Sequence, residues 1–549
     1  EPYFALLTGP EAGPDAAARL FLASQVALRP GVAQTQAVLA RELSGGSDEA
    51  SRLFRQAVAL TRDVERTRVE IARLQTGEQN EAAAAALADR QARLAGFQQA
   101  QVATQARLAD FPRYRAVSPS ALALSELQSL LREGEAYYKL TMFGGAAYAV
   151  FATRTGARAF RIAAAPDLIE ERVDTLRATI SLVEDGDIVT YPFDLETAHS
   201  LHQDLFGPIA GDLAGVRHLI FEPDGAMLRL PPNLLVEDQA GTQAYRRRTA
   251  DPDADAFDFT NVAWFGRSRE ISTAVSPRAF RDVRTAAPSR AANEYLGFGE
   301  NAPVSATLAA GGVRGGGEAE DGCGWGLAAW NRPIPADELV TARRALARLA
   351  GSSDIVTGTA FTDTAIRQRT NLNEYRVLHF ATHGLVTPPR PECPARPSLL
   401  TSFGGPESDG LLSFREIFDL RLDADLIILS ACDTAGRADL VSTQEAGLTS
   451  GGDFALDGLV RAFVGAGGRL VVASHWPVPD AYDATQRLVS GLFTAPAGTG
   501  TARALGAAQR QLMDQPATSH PYYWAGFAVI GDGSNPVIRS DRLRSASRD

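Results

Sequence analysis

The chain has 549 residues, a net charge of −11, 45% apolar residues and 22% charged residues. This is an ordinary globular composition, and the length allows about two to four folding units with sizeable cores. The acidic balance argues against a direct nucleic-acid partner, because phosphates ask for a basic surface; the local cluster Arg246-Arg247-Arg248 reads as a solvated loop.

Three cysteines, Cys323, Cys393 and Cys432, form an odd and sparse set. They do not make a disulfide framework, and no CxxC pair offers a zinc site. Neither a metal nor a cofactor is expected. No apolar run approaches the roughly 20 residues of a membrane span. The expected compartment is the cytoplasm, or the periplasm if a leader was removed before Glu1.

Residues 1–46 read as a short helical segment, the end of a tetratricopeptide-like array, with Pro30 and Gly31 between two Ala-rich stretches. Residues 47–117 read as a helical hairpin. Leu53, Ala57, Leu60, Val64, Thr67, Ile71 and Leu74 alternate four and three apart, which places one stripe along a long helix. After a turn at Thr76-Gly77, a second helix carries Leu87, Leu94 and Leu108 at multiples of seven and closes before Pro112. The arm is a structural stalk or a docking site for a protein activator.

From 118 to 290, helical segments alternate with β-rich runs at Ala147–Thr153, Phe160–Ala164, His218–Glu222 and Val262–Phe265. Asp251, Asp253 and Asp255 mimic the start of a calcium loop. Ala256 and Val262 stand where such a loop needs glycine and glutamate, so calcium is rejected. From 291 to 537 the alternation becomes regular. The strand Tyr295–Phe298 is followed by a Gly-rich loop, Ala309–Gly326, and a helix presenting Leu339, Ala342, Leu346 and Leu349. Strands at Ile355-Val356, Arg376–Ala381, Leu426–Ala431, Arg469–Ser474 and Phe527–Ile530 are separated by helical patterns. Short apolar strands between helices imply a mostly parallel sheet covered on both faces, hence an α/β fold. Residues 538–549 are a tail.

Two strand ends carry chemistry. Arg376-Val-Leu-His-Phe-Ala-Thr-His383-Gly384 and Leu426-Ile-Ile-Leu-Ser-Ala-Cys432-Asp433 each end an apolar strand on a reactive side chain. In an open parallel sheet these ends line the ligand crevice. A histidine and a cysteine delivered there by neighbouring strands supply a base and a thiolate nucleophile. Gly384 and the backbone N–H of Cys432 are candidate oxyanion donors. A lone cysteine at such a place is most often a buried small residue, and a lone histidine a structural one; their joint position favours catalysis. His379 faces the same side as Val377 and Ala381, as a packed or supporting histidine. No GxSxG elbow offers a serine nucleophile.

Tyr375–Gly384, Asp409-Gly-Leu-Leu-Ser-Phe-Arg-Glu-Ile417, Leu429-Ser-Ala-Cys-Asp-Thr-Ala435, Gly465–Ser474 and Trp476-Pro-Val-Pro-Asp480 together resemble the CHAT domain. Upstream, Leu205–Ile209, His218–Gly225 and Leu228–Pro231 are similar to the family's N-terminal half, so the resemblance spans about 118–537. CHAT domains are bacterial members of the caspase/separase peptidase clan, often preceded by tetratricopeptide helices. The resemblance implies a caspase-like sheet, a cysteine peptidase acting on a protein substrate, His383 as base and Cys432 as nucleophile. It also suggests duplication: Val216–Gly225 aligns loosely with Tyr375–Gly384, and Asp224 falls where His383 stands, as in a pseudo-protease half. Asp433, Trp476 and Asp480 are the candidate substrate contacts. Two departures stand out: His475 replaces an expected aliphatic residue, and Thr341–Leu349 carries arginines where an acid is expected. The alternative is a catalytically silent scaffold for protein–protein interaction.

Overall fold

A computed structural model describes residues 2–26, scattered positions between 49 and 74, and 81–108, 121–184, 187–304, 330–385, 398–405, 408–430, 459–460, 462–476 and 481–543. The helices α1 (Pro2–Thr8), α2 (Ala16–Val26), α3 (Glu81–Leu108) and α4 (Leu124–Leu130) precede the first strand. Of the described heptad residues, Leu53, Val64 and Thr67 are buried, whereas Leu60, Ile71 and Leu74 are partly exposed.

Strands β1 (Glu135–Phe143), β2 (Ala146–Thr153) and β3 (Ala157–Arg161) form an antiparallel meander. After α5 (Pro166–Ile180) comes a side hairpin, β4 (Leu182–Glu184) and β5 (Asp187–Val189). Then follow α6 (Leu195–Phe206), β6 (His218–Glu222), β7 (Glu270–Thr273), α7 (Pro277–Thr285), β8 (Asn293–Asn301), α8 (Asp337–Leu346), β9 (Ser353–Gly358) and β10 (Tyr375–Ala381). A small sheet follows, β11 (Gly384–Leu385), β12 (Ser398–Leu400) and β13 (Leu411–Ser413). The chain closes with β14 (Leu426–Ser430), β15 (Leu470–Ser474), α9 (Ala484–Thr494), α10 (Thr501–Met513) and β16 (Phe527–Gly531).

Among the described residues, one 11-stranded sheet runs β3-β2-β1-β6-β7-β16-β15-β14-β10-β8-β9. It is mostly parallel and flanked by helices, an α/β fold. The side-chain period of two divides its strands between faces. On β10, Val377 belongs to the core under α5, α6, α8, α9 and α10, whereas Leu378 and Phe380 belong to a second core on the opposite face. Every residue of β10, β14 and β15 is buried, the pattern of strands covered on both sides. Tyr137, Ile220 and Phe280 centre a third core beneath α1, α2 and α4.

The sequence reading missed β1, β7 and the small sheet. The run Val262–Phe265 is not a strand: only an isolated bridge joins Trp264 to Val236, and a helical turn, Phe265–Ser268, starts at once. Its aromatic residues are buried as core, which mimics strand composition. Among the described residues, no helix is long and apolar enough to cross a membrane.

Candidate active site

His383 lies two residues beyond β10, and its position is fixed by backbone bonds on several sides. The Thr382 N–H donates to the Ser430 carbonyl at 3.3 Å, which extends the pairing of β10 with β14. The Leu400 N–H donates to the His383 carbonyl at 2.9 Å, and the Thr382 hydroxyl donates to the Leu400 carbonyl at 2.6 Å. Gly384 is buried and pairs with Leu399 in the small sheet. That sheet is tied to a buried tryptophan, because the Trp330 indole N–H donates to the Thr401 carbonyl at 2.9 Å. Gly410, at φ +74°, passes so near that a Cβ would lie 2.9 Å from the Trp330 indole nitrogen.

The same segment carries the partner of the imidazole. His383 Nε2 is 2.6 Å from the carbonyl oxygen of Arg332. A carbonyl only accepts, so Nε2 carries the proton and Nδ1 is the basic nitrogen. Burial pulls the His383 pKa below the usual imidazole value, against the opposing effect of the Arg332 carbonyl. At neutral pH the ring is therefore neutral and competent to take a proton.

Beneath this edge lies a buried polar layer. His379, fully buried, places Nδ1 2.9 Å from the Tyr295 hydroxyl and Nε2 2.8 Å from Glu338 Oε1. The Ser430 hydroxyl donates to the same Oε1. Glu338 lies in the first turn of α8, before Arg343 and Arg344, and is buried. The cue was present in the sequence: Glu338 precedes Leu339 and Ala342 on the buried face of the same helix.

Trp476 is packed rather than open to a cleft. It is 2% exposed, and its indole N–H donates to the Tyr522 carbonyl at 3.1 Å. His475, the unexpected histidine, is held neutral: burial first, then the nearby Arg177 guanidinium, lowers its pKa to about 3. The Arg177 guanidinium donates to the His475 carbonyl at 3.3 Å and to the Arg229 carbonyl at 2.8 Å. Phe221, Pro223, Thr273, Val275, Val460 and His475 surround one cavity, so the ends of β6 and β7 meet the end of β15. Asp409 of the Asp409-Gly-Leu-Leu run is pushed up to about 6, by burial and then by the carboxylates of Glu416 and Asp363, against the Leu411 N–H.

Cys432, Asp433 and Asp480 lie outside the described residues, as do Cys323 and Cys393. Among the described residues, no cluster of His, Cys, Asp and Glu could hold a metal ion.

A model of the CHAT domain matches residues 195–532. Tetratricopeptide repeat protein 28 of Mus musculus is 36% identical over 125 residues, 22% of this chain and 4% of its own length. The Homo sapiens protein of that name is 30% identical over 200 residues, 31% of this chain and 7% of its own length. The chain thus spans a small fraction of these relatives. Among solved structures, similarity extends to a complex of the pro- and mature domains of Porphyromonas gingivalis RgpB, at 10% identity and a TM-score of 0.34, covering 69% of this chain and 78% of that one. The Arg-specific cysteine proteinase gingipain R matches with the same identity and score, covering 69% of this chain and 76% of its own.

Proposed function

Because the chain belongs to the CHAT domain family, we propose that it is a cysteine endopeptidase in which His383 is the base and Cys432 the nucleophile. The strand register carries this reading. On β10 and β14, Ala381 stands opposite Ser430. His383 and Cys432 each follow two residues later.

In this mechanism Nδ1 of His383 takes the thiol proton, and the thiolate attacks the scissile carbonyl carbon. The Gly384 and Cys432 N–H groups face the resulting oxyanion. The imidazolium returns its proton to the leaving amine as the C–N bond breaks. Water then hydrolyses the thioester, with His383 again as base. The Arg332 carbonyl fixes the tautomer throughout. Asp433 and Asp480 would attract a basic substrate side chain, and the helical arm would receive a protein activator.

The test is labelling with peptide acyloxymethyl ketones bearing Arg, Lys, Asp or Leu at the reactive end. Wild type should label at Cys432, Arg and Lys probes fastest. Cys432→Ala and His383→Ala should reduce labelling on the order of 10³-fold or more, with unchanged circular dichroism. Labelling that survives both substitutions would defeat the proposal.

A further inference from the structure

We infer that Glu338 is a positioning residue that sets His383 against Cys432; this rests on the dyad reading above. The observation is a single buried carboxylate oxygen shared by the two strands that lead to the dyad. Oε1 of Glu338 receives the Ser430 hydroxyl from β14 and meets Nε2 of His379 on β10 at 2.8 Å. Glu338, His379 and Ser430 are 7%, 0% and 3% exposed, so water offers none of them an easy substitute partner. His379 is in turn held from its other nitrogen by the Tyr295 hydroxyl on β8 at 2.9 Å. One helix residue thus ties together β8, β10 and β14.

The placement matters because of register. His379 pairs with Ile428, and Ala381 pairs with Ser430. Alternation puts His379 and Ala381 on one side of β10, with Ile428 and Ser430 matching on β14. Glu338 therefore grips the two strands at the ends that precede His383 and Cys432 in sequence. The backbone pairing recorded near the strand ends is long, 3.3 Å from Thr382 N to Ser430 O. The side-chain bridge supplies the lateral constraint that this weak bond does not. A proton transfer between His383 and Cys432 needs a heavy-atom approach of about 3 Å, and a misplacement of about 1 Å costs roughly 10²-fold.

The experiment reads thiolate formation, which needs no knowledge of the substrate. Iodoacetamide alkylation of Cys432 is followed against pH by mass spectrometry on the full chain. Wild type, Glu338→Gln, Glu338→Leu, Ser430→Ala and His383→Ala are compared, with melting temperatures alongside. An unpaired thiol titrates near 8.5. Wild type should react well below that pH, and His383→Ala should move the profile to it. Glu338→Leu should slow alkylation at neutral pH about 10²-fold and move the profile toward 8.5. Glu338→Gln retains an oxygen that accepts the same hydrogen bonds, and should stay within about threefold of wild type. Ser430→Ala removes one arm with a minimal change of volume and should give the same direction of shift, which keeps the test decisive if Glu338→Leu does not fold. A purely structural role would lower the melting temperature of Glu338→Leu and Ser430→Ala while leaving both profiles where wild type has them; that outcome overturns the inference alone. A wild-type profile already at 8.5 and unmoved by His383→Ala overturns the dyad and this inference together.

Discussion

In the N-terminal half of the sheet, three parallel strands lie in the order β1-β6-β7, and in the C-terminal half three lie in the order β8-β10-β14. The two sets use their strand ends in opposite ways. At the end of β6, Glu222 is fully buried and meets Lys139 of β1 at 2.6 Å, with the Tyr137 hydroxyl donating to its other oxygen at 2.8 Å. Asp224, two residues beyond β6 as His383 is beyond β10, accepts the Met142 N–H at 2.8 Å and the Gly225 N–H at 3.0 Å. Each of its carboxylate oxygens accepts a backbone N–H. At the end of β10 the polar group is instead an imidazole whose protonated nitrogen faces a carbonyl. The first edge holds full charges locked in pairs, and the second holds a ring that can exchange a proton. One strand order therefore supports both a fixed structural junction and a candidate reactive site, depending on which side chain follows the strand.

The sharpest way to break this contrast is to unlock the N-terminal edge. Removing one member of a fully buried ion pair leaves its partner charged in a dry interior, at a cost of about 3–5 kcal/mol. Lys139→Met should therefore lower the unfolding midpoint strongly in urea. Lys139→Met with Glu222→Leu should recover most of the loss, because apolar groups can replace such a pair. At temperatures where the single variant stays folded, Cys432 labelling should match wild type. A labelling rate that falls in step with stability would mean that the two edges are not separable.

Much of this arrangement was legible in the sequence. The apolar runs of β10, β14 and β15 are buried on both faces, and such strands announce themselves without alternation. The ends of two of them pointed to His383 and Cys432. What was hidden depends on distant chain. β1 reads Glu-Ala-Tyr-Tyr-Lys-Leu-Thr, and its Lys139 and Glu135 argue against a buried strand until Glu222 and Arg284 are seen beside them. Glu338 is 92 residues from Ser430, so no local pattern could join them. The packing of Trp476 also depends on distant chain, since Gly526 leaves the space its indole fills.

Acid should loosen the N-terminal half through groups whose ionisation the fold has shifted. Burial first, then the charges of His199 and Arg269, lowers His202 to about 4. A histidine depressed from its ordinary 6.5 contributes stability that is complete above 6.5 and is lost as pH falls from there toward 4. For His202 this amounts to about 3 kcal/mol over that window. Glu135 behaves likewise at lower pH. Burial opposes its ionisation, but hydrogen bonds from His218, Arg284 and the Arg132 N–H hold it at about 2. Its contribution is present above the ordinary 4.5 and fades as pH falls toward 2. His202→Phe, beside Phe206 and Phe265, should flatten the stability curve between 6.5 and 4 without touching the lower limb. An unchanged slope in that window would show that His202 does not titrate as its burial requires.

The smallest expected effect compares the residues two positions beyond β6 and β10, Asp224 and His383. Asp224 accepts two backbone N–H groups at the turn after β6, so Asp224→Ala should cost about 1–2 kcal/mol, the usual loss for an N-terminal cap. Labelling of Cys432 should stay within twofold of wild type. His383→Ala should do the reverse, abolishing labelling with a small change in melting temperature, since its backbone bonds to Leu400 and the Thr382–Ser430 contact remain. Each substituted residue lies two positions beyond a parallel strand, and the expected effects are opposite: stability without reactivity for Asp224, reactivity without stability for His383. Loss of labelling in Asp224→Ala would mean that the turn after β6 props up the reactive edge through the cavity that Phe221 and Pro223 share with His475, and the halves would then have to be treated as one site.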